Sequence, residues 1–598
     1  MPGLALMTDG SKRRVRQVNV LSAAAEFDRR ENGLTYIRSP LALGPYPSKL
    51  TERLELWAAK TPDRVFLAQR DPAGAWRTLS YAAARGQARS IAQWLVDFRL
   101  DRPLAILSGN SIEHGVLGLA CMYAGITYAP IAPPYSLASA ELTTLRFLLE
   151  RLEPAIVFAE DGRQFERPLQ LAAAMGARIV TITPAALPRV TPFEELVRTV
   201  PRPEVDEAHA REHPDTVAKV LFTSGSTGHP KGVITTQRML CSNQEMLKTL
   251  LAFVAEEPPV LCDWLPWNHT FGGSHNFGLV LYNGGTLYID EGKPTDAGFA
   301  ATLNNLRDVA TTAYFNVPKG YEMLVAALRA DARFARHFFS RVKILFYAAA
   351  GLNQKVWDDL QELAVEACGE EILMLTGLGA TESAPLALAT GVEGASAGRV
   401  GLPVPGVELK LAPVENKIEA RLRGPNITPG FWRNPEMTRT VFDEEGFYKL
   451  GDALLPADPA EPLKGYRFDG RIAEDFKLST GTWVSVGPLR EAFLTWCAGA
   501  AQDVVLAAPD RDFVAALIFA ARGVTGVHLT PLIEGFARRA TGISTRIERA
   551  LVMEQPPSMD AGEITEKGSI NQKAVLRNRA ALVEELYAGS PRVIEVKL

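Results

Sequence analysis

The chain has 598 residues, of which 47% are hydrophobic and 22% charged, and a formal net charge of −4. Acidic and basic residues are spread along it, which excludes the basic stripe of a nucleic-acid binder but leaves room for a small anionic substrate. Five scattered cysteines (Cys121, Cys241, Cys262, Cys368 and Cys497) form no CxxC pair, which argues against a disulfide framework and predicts a reducing, cytoplasmic setting.

Residues 1–45 precede every recognisable motif and read as an N-terminal extension. Their apolar start comes before the charges at Lys12–Arg14, the reverse of an export signal. From residue 46 to 470 the pattern is that of one large domain. Pro103-Leu-Ala-Ile-Leu before Ser108-Gly-Asn, and Val217-Ala-Lys-Val-Leu-Phe before Thr223-Ser-Gly, read as strand-to-helix units. Residues 115–140 carry no formal charge, but Pro130, Pro133 and Pro134 interrupt them; the prediction is a buried helix running into a loop, not a membrane span. Val342-Lys-Ile-Leu-Phe-Tyr, then Ala-Ala-Ala-Gly and an amphipathic helix from Gln354 to Cys368, repeat the grammar. The predicted class is therefore α/β, with helix-covered, mainly parallel sheets and ligands beyond the strands' carboxyl ends. Over 398–470, Val407-Glu-Leu-Lys-Leu and Lys417-Ile-Glu-Ala-Arg-Leu-Arg alternate with period two, predicting a small β-rich, barrel-like module of antiparallel strands. Residues 471–598 read as a smaller α+β domain ending in a helix over Asn571–Tyr587.

The sharpest chemical signal is Leu221-Phe-Thr-Ser-Gly-Ser-Thr-Gly-His-Pro-Lys-Gly-Val233. A strand followed by Thr223, Ser224, Gly225, Ser226, Thr227 and Gly228 lets backbone N–H groups and hydroxyls converge on phosphate oxygens, while Lys231 adds a mobile cation. A kinase-type P-loop is excluded, because Pro230 and Gly232 flank the lysine.

This loop resembles the phosphate loop of the adenylate-forming superfamily, which includes acyl-CoA synthetases, luciferases and the adenylation domains of peptide synthetases. Further segments resemble that superfamily in its own order: Ala348-Ala-Ala-Gly351, Leu378-Gly-Ala-Thr-Glu382 and Tyr448-Lys-Leu-Gly-Asp452, with Arg471 and Lys477 at the hinge. The resemblance implies ATP, Mg²⁺ and coenzyme A as co-substrates and cofactor. It places nucleotide contacts at Ala349, Ala350, Gly351, Gly377, Leu378 and Gly379, a metal ligand at Glu382 assisted by Thr227, and the α-phosphate on Thr381. Asp452 would accept the ribose hydroxyls beside Arg471. The implied reaction is carboxylate attack on the α-phosphorus, then transfer of the acyl group to a thiol, with a mobile C-terminal domain turning about Arg471–Ala473.

Three departures stand out. Leu378 replaces the usual aromatic, and Ala473 the usual polar pivot. The C-terminal catalytic lysine normally lies in Thr-x-x-Gly-Lys, whereas this chain reads Thr565-Glu-Lys-Gly-Ser569; Lys567 is the expected catalytic cation, with Lys573 as the alternative.

Trp264-Leu-Pro-Trp-Asn-His-Thr-Phe-Gly-Gly-Ser-His275 corresponds to the family's acyl-pocket entrance. Trp267, His269 and Phe271 are the expected wall, with Asn316 and Gly377 completing the substrate side. Arg467-Phe-Asp-Gly-Arg-Ile-Ala-Glu-Asp-Phe-Lys-Leu-Ser-Thr-Gly-Thr-Trp-Val484 and Gly562-Glu-Ile-Thr-Glu-Lys-Gly-Ser-Ile-Asn-Gln572 resemble the feruloyl-CoA synthetases, departures included, which implies ferulate or a related hydroxycinnamate as the acid. A medium- or long-chain fatty acid and a non-catalytic nucleotide binder are the competing readings. A hydrolase elbow at Gly394-Ala-Ser-Ala-Gly398 is disfavoured by Pro403 and Pro405, which should prevent the helix that motif needs. The protein is expected to act as a monomer or homodimer.

Overall fold

The computed structural model describes residues 14–223, 230–392, 395–507, 509–565 and 570–597. A seven-stranded sheet runs in the order Lys231–Thr236, Val217–Thr223, Tyr128–Pro130, Leu104–Ile106, Ile156–Ala159, Arg178–Thr181, Val190–Pro192. Its first pair is antiparallel and the remaining pairs are parallel. Leu104–Ile106 and Ile156–Ala159 are buried at every residue, as apolar runs covered on both faces must be.

A second sheet of eleven strands starts at the hairpin Glu26–Arg29 and Thr35–Arg38. It continues through Glu408–Val414, Lys417–Arg423, Tyr448–Pro456, Tyr466–Arg471, Arg399–Pro403, Leu386–Ala389, Leu373–Gly379, Ile344–Tyr347 and Ala313–Asn316. The last three strands are parallel and the others pair antiparallel. The strands of 398–470 thus extend the parallel strands edge to edge, and the N-terminal segment supplies the far end of the same sheet. A four-stranded sheet (Val260–Asp263, Thr286–Ile289, Val65–Arg70, Trp76–Ser80) completes the large part. Beyond residue 471, the strands Ala501–Ala507, Val514–Ala520, Ile547–Val552 and Val593–Glu595 form a sheet with two apolar clusters of their own.

The charge-free run forms the helix Ile112–Ala124, with the Ser111 side chain accepting the His114 N–H and Gly125 ending it at φ 73°. Tyr128–Pro130 then makes a strand where a loop was expected, because it pairs with Leu104–Ile106 on one side and Lys219 on the other. The terminal helix divides into Gln572–Asn578 and Ala580–Ala588. The break is at Arg579, whose guanidinium is tied to Glu563 and to the carbonyls of Gln555 and Pro556. No described helix is long and apolar enough to cross a membrane.

One irregular element matters for the site. Phe271–Asn276 is a turn of π-helix leading into the helix Phe277–Asn283. The two glycines permit it: a Cβ on Gly272 would lie 2.2 Å from the Leu265 carbonyl oxygen, and one on Gly273 2.2 Å from that of Trp267. The wide turn leaves carbonyls without the regular helical partner. Lys219 Nζ donates to the Gly273 oxygen at 2.8 Å, and Gln244 Nε2 donates to those of Ser274 and His275 at 2.8 and 3.2 Å.

Candidate nucleotide and acid site

The strand Val217–Thr223 and the return strand Lys231–Thr236 close with Thr223 opposite Lys231. Residues 224–229 between them, including Ser224, Gly225, Ser226, Thr227 and Gly228, lie outside the described residues. Thr223 presents a buried hydroxyl with no hydrogen-bond partner among the described residues. Lys231 Nζ lies 2.7 Å from Glu382 Oε1 and 4.5 Å from the centroid of the Phe431 ring. Sequence positions 151 apart are thereby brought into one charge pair.

Glu382 sits on the short turn Thr381–Ser383 immediately after the strand Leu373–Gly379, with all three turn residues buried. The Thr428 N–H donates to the Glu382 carbonyl at 2.8 Å and the Ala380 N–H to Ser383 Oγ at 2.9 Å. Glycine is required just before this turn: a Cβ on Gly379 would sit 1.8 Å from the Pro385 carbonyl oxygen, and one on Gly377 2.4 Å from that of Leu388. Leu378, between them, is half-buried.

Asp452 and Arg471 face each other across neighbouring strands, with the guanidinium 3.5 Å from the carboxylate. Arg471 is largely exposed, so the pair is weak, whereas Asp452 is buried. Burial pushes Asp452 up to about 6; Arg471 opposes this, and the Glu382 and Glu474 carboxylates add to it. Tyr448 has its hydroxyl pushed upward, first by burial and then by Glu382. Glu382, Tyr448 and Asp452 therefore share one electrostatic neighbourhood with Lys231.

Ala349, Ala350 and Gly351 follow the strand Ile344–Tyr347 and are exposed, with Ala349 at φ 75°. A left-handed alanine is costly, and such strain gathers at functional turns. Lys477 is exposed, its Nζ 4.7 Å from the Trp483 ring centroid. At the expected hinge, Ile472–Glu474 forms a single turn, and the buried Lys417 holds Asp475 at 2.8 Å beyond it and the Asp469 carbonyl before it. Ala473 therefore has a charged clamp nearby. Lys567 lies outside the described residues; Lys573 is exposed on the helix Gln572–Asn578.

On the acid side the expected wall residues separate. Phe271 packs with His275, Phe315 and Phe346, with centroids 5.3, 6.5 and 6.3 Å away. Trp267 instead packs on His114 and Phe277 and lines a cavity of about 10 Å³, room for one water at most. His269 accepts the Phe271 N–H on Nδ1 at 3.4 Å. Asn316 is fully buried, its amide donating to the Tyr314 hydroxyl and accepting the Val317 N–H, each at 2.8 Å. It is a bracing group for the strand end, and its engaged side chain leaves little to offer an acid. After Gly398 the chain enters the strand Arg399–Pro403, so the hydrolase elbow lacks its helix. Sequence reading missed Lys219 as a strut, Tyr448, and the relay Asp263–Asn276–His275. A lone lysine inside the apolar strand Val217–Thr223 was the available signal for the first.

A lysine paired with a buried glutamate, in the same electrostatic neighbourhood as a buried aspartate, accords with the adenylate-forming class that similarity to known proteins identifies. ATP-bound MatB from Rhodopseudomonas palustris shares this fold, with a TM-score of 0.65 at 22% identity over 88% of this chain and 98% of that one. The chain belongs to the AMP-binding enzyme family, whose model matches residues 54–432. Anthranilate–CoA ligase of Pseudomonas aeruginosa is 30% identical over 286 residues, 46% of this chain and 50% of that protein; the match thus spans half the length of that relative. The long-chain-fatty-acid–CoA ligase FadD15 of Mycobacterium bovis is 23% identical over 88% of this chain and 95% of its own.

Proposed function

We propose that this protein is an ATP-dependent acid–CoA ligase acting on an aromatic acid, with ferulate and related hydroxycinnamates as the preferred substrates. The observation that carries the ligase reading is the 2.7 Å Lys231–Glu382 pair set beside Asp452 and the Thr223 hydroxyl, which has no partner among the described residues. A polyanion entering there meets a cation that can leave its carboxylate partner, a hydroxyl seeking a bond, and a buried acceptor for ribose hydroxyls.

In the first half-reaction a carboxylate oxygen of the acid bonds to the α-phosphorus as the bond to the β-phosphate oxygen breaks, releasing pyrophosphate. Lys231 neutralises charge on the transferring phosphate, Thr381 hydrogen-bonds the α-phosphate, and Asp452 with Arg471 fixes the ribose. Glu382 and Thr227 supply hard oxygen donors suited to Mg²⁺, which when bound spreads the negative charge of the phosphates. Releasing Lys231 from Glu382 to the phosphates leaves that carboxylate for the metal. In the second half-reaction the coenzyme A sulfur attacks the acyl carbon, AMP departs, and the thiol proton passes to solvent. Leu378, Ala349, Ala350 and Gly351 line the adenine side; Lys477 and the 471–473 segment serve the C-terminal domain's rotation, with Lys567 its cation for adenylation.

The hydroxycinnamate preference rests on the resemblance of 467–484 and 562–572 to feruloyl-CoA synthetases and on the aromatic cluster around Phe271. A fatty-acid reading has in its favour the near-complete span of the FadD15 match. Pyrophosphate release with a panel of hydroxycinnamic, benzoic and fatty acids, repeated with and without coenzyme A, decides among them. Lys231→Ala and Glu382→Ala should each depress both half-reactions by about 10²-fold or more. Lys567→Ala should depress adenylation while leaving thioester formation from a supplied acyl-adenylate; normal adenylation would move the role to Lys573.

A further inference from the structure

His275 is almost wholly buried, and its Nε2 has no hydrogen-bond partner among the described residues. Buried polar atoms are nearly always paired, so an orphan on a ring packed among phenylalanines needs a reason. The ring stands against Phe315, Phe271 and Phe346, with centroids 5.1, 5.3 and 5.6 Å away. Phe315 and Phe346 are register partners one residue before Asn316 and Tyr347, at the carboxyl ends of two parallel strands. The turn Ala348–Gly351 begins directly after Tyr347. The box therefore lies on the acid side of the nucleotide segment, and Phe271 is its shared wall.

The far side of the ring fixes the proton. Asp263 accepts on both oxygens, from the Leu265 N–H at 3.1 Å and from Asn276 Nδ2 at 2.9 Å. The Asn276 amide is thereby oriented with its NH₂ toward Asp263 and its Oδ1 toward the imidazole, 2.8 Å from His275 Nδ1. An amide oxygen can only accept, so Nδ1 carries the hydrogen and Nε2 is left with a bare lone pair. Burial pushes this imidazole down to about 4, so it stays neutral near pH 7 and does not gain a second proton.

We propose that His275 Nε2 is the polar anchor of the acid pocket, accepting a hydrogen bond from an O–H or N–H at the distal end of the bound acid. This rests on the aromatic-acid ligase reading and sharpens it: the preferred acid is flat enough for three phenylalanine rings and carries a donor, not merely any polar substituent. A phenol satisfies the anchor. A methoxy group or an alkyl terminus leaves it unpaired.

The test compares para-hydroxycinnamate, cinnamate and para-methoxycinnamate by kcat/KM of pyrophosphate release in the parent enzyme, His275→Phe and His275→Gln. The parent should favour the hydroxy acid over the other two by about 10- to 100-fold. His275→Phe should bring the three within about two-fold of one another, while His275→Gln, which keeps an acceptor, should retain part of the preference. Because each comparison is a ratio within one enzyme, partial misfolding of a variant does not alter it. An equal ratio in the parent, or an unchanged ratio in His275→Phe, overturns the proposal. If the parent uses none of the three but activates another acid, the hydroxycinnamate reading fails. The same ratio, measured on that acid and its analogue without the donor, then decides the role of His275. Activity toward no acid at all overturns both.

Discussion

Lys231 neutralises a buried carboxylate and lies over the Phe431 ring, and a phosphate group would offer it a stronger multivalent partner. Asp452 adds a pH dependence whose sign can be worked out. Its pKa rises from 3.8 to about 6 on folding, so its contribution to stability is complete below about pH 4 and is lost as pH rises through 6. Binding runs the other way, since only the ionised carboxylate offers all its lone pairs to ribose hydroxyls. AMP affinity, followed by calorimetry, should therefore fall as pH drops below about 6, and Asp452→Asn should raise the melting temperature at pH 7.5 more than at pH 4.5. A flat affinity profile from pH 5 to 8 would remove Asp452 from the ribose site. These residues were singled out in the sequence because the segments that hold them resemble a known family's motifs. His275 was not, because only the fold shows that its Nε2 is buried without a partner.

At the scale of elements, the π-helical turn 271–276 is held by a strut from another sheet. Lys219 is completely buried, and burial pushes its amine down to about 7 from 10.5. Between about pH 7 and 10.5 the unfolded chain holds a proton that the folded chain has shed, so the lysine's penalty is full below 7 and relieved as pH rises. Lys219→Met should accordingly gain stability relative to the parent at pH 6 by more than it does at pH 9, read as melting temperatures. Equal differences at the two pH values would mean that the ammonium is not desolvated. Turnover should also fall, because the Gly273 carbonyl loses its donor and the turn bearing Phe271 and His275 loosens. The pattern of apolar residues identified the strand Val217–Thr223 that carries Lys219, and the helix Gln354–Cys368 ends where amphipathicity placed it. It could not identify the π-turn. That geometry depends on Gly272 and Gly273 lying against the carbonyls of Leu265 and Trp267, an approach no local periodicity encodes.

The whole molecule is tied together by the eleven-stranded sheet. Its far end is the hairpin 26–38, paired with Glu408–Val414, and Arg16 is further pinned to Glu370 and to the carbonyls of Phe339 and Val342. Deleting residues 1–45 bares the backbone of the 408–414 strand, and an uncovered edge of that kind invites association. The truncated protein should lose soluble yield, or melt on the order of 5 °C lower, by scanning fluorimetry and size exclusion. An unchanged melting temperature would make the hairpin dispensable. The segment looked detached in the sequence because its partner strand is remote and its own four-residue strands carry little pattern.

That remoteness has a consequence during synthesis. Thr35 pairs with Leu411, roughly 370 residues further along, so at about 5–20 residues per second the nascent hairpin waits some 20–75 s on the ribosome for its neighbour. Throughout that interval the edge of Thr35–Arg38 that will meet Glu408–Val414 is open to any other emerging strand, a reason for a chaperone to cover it.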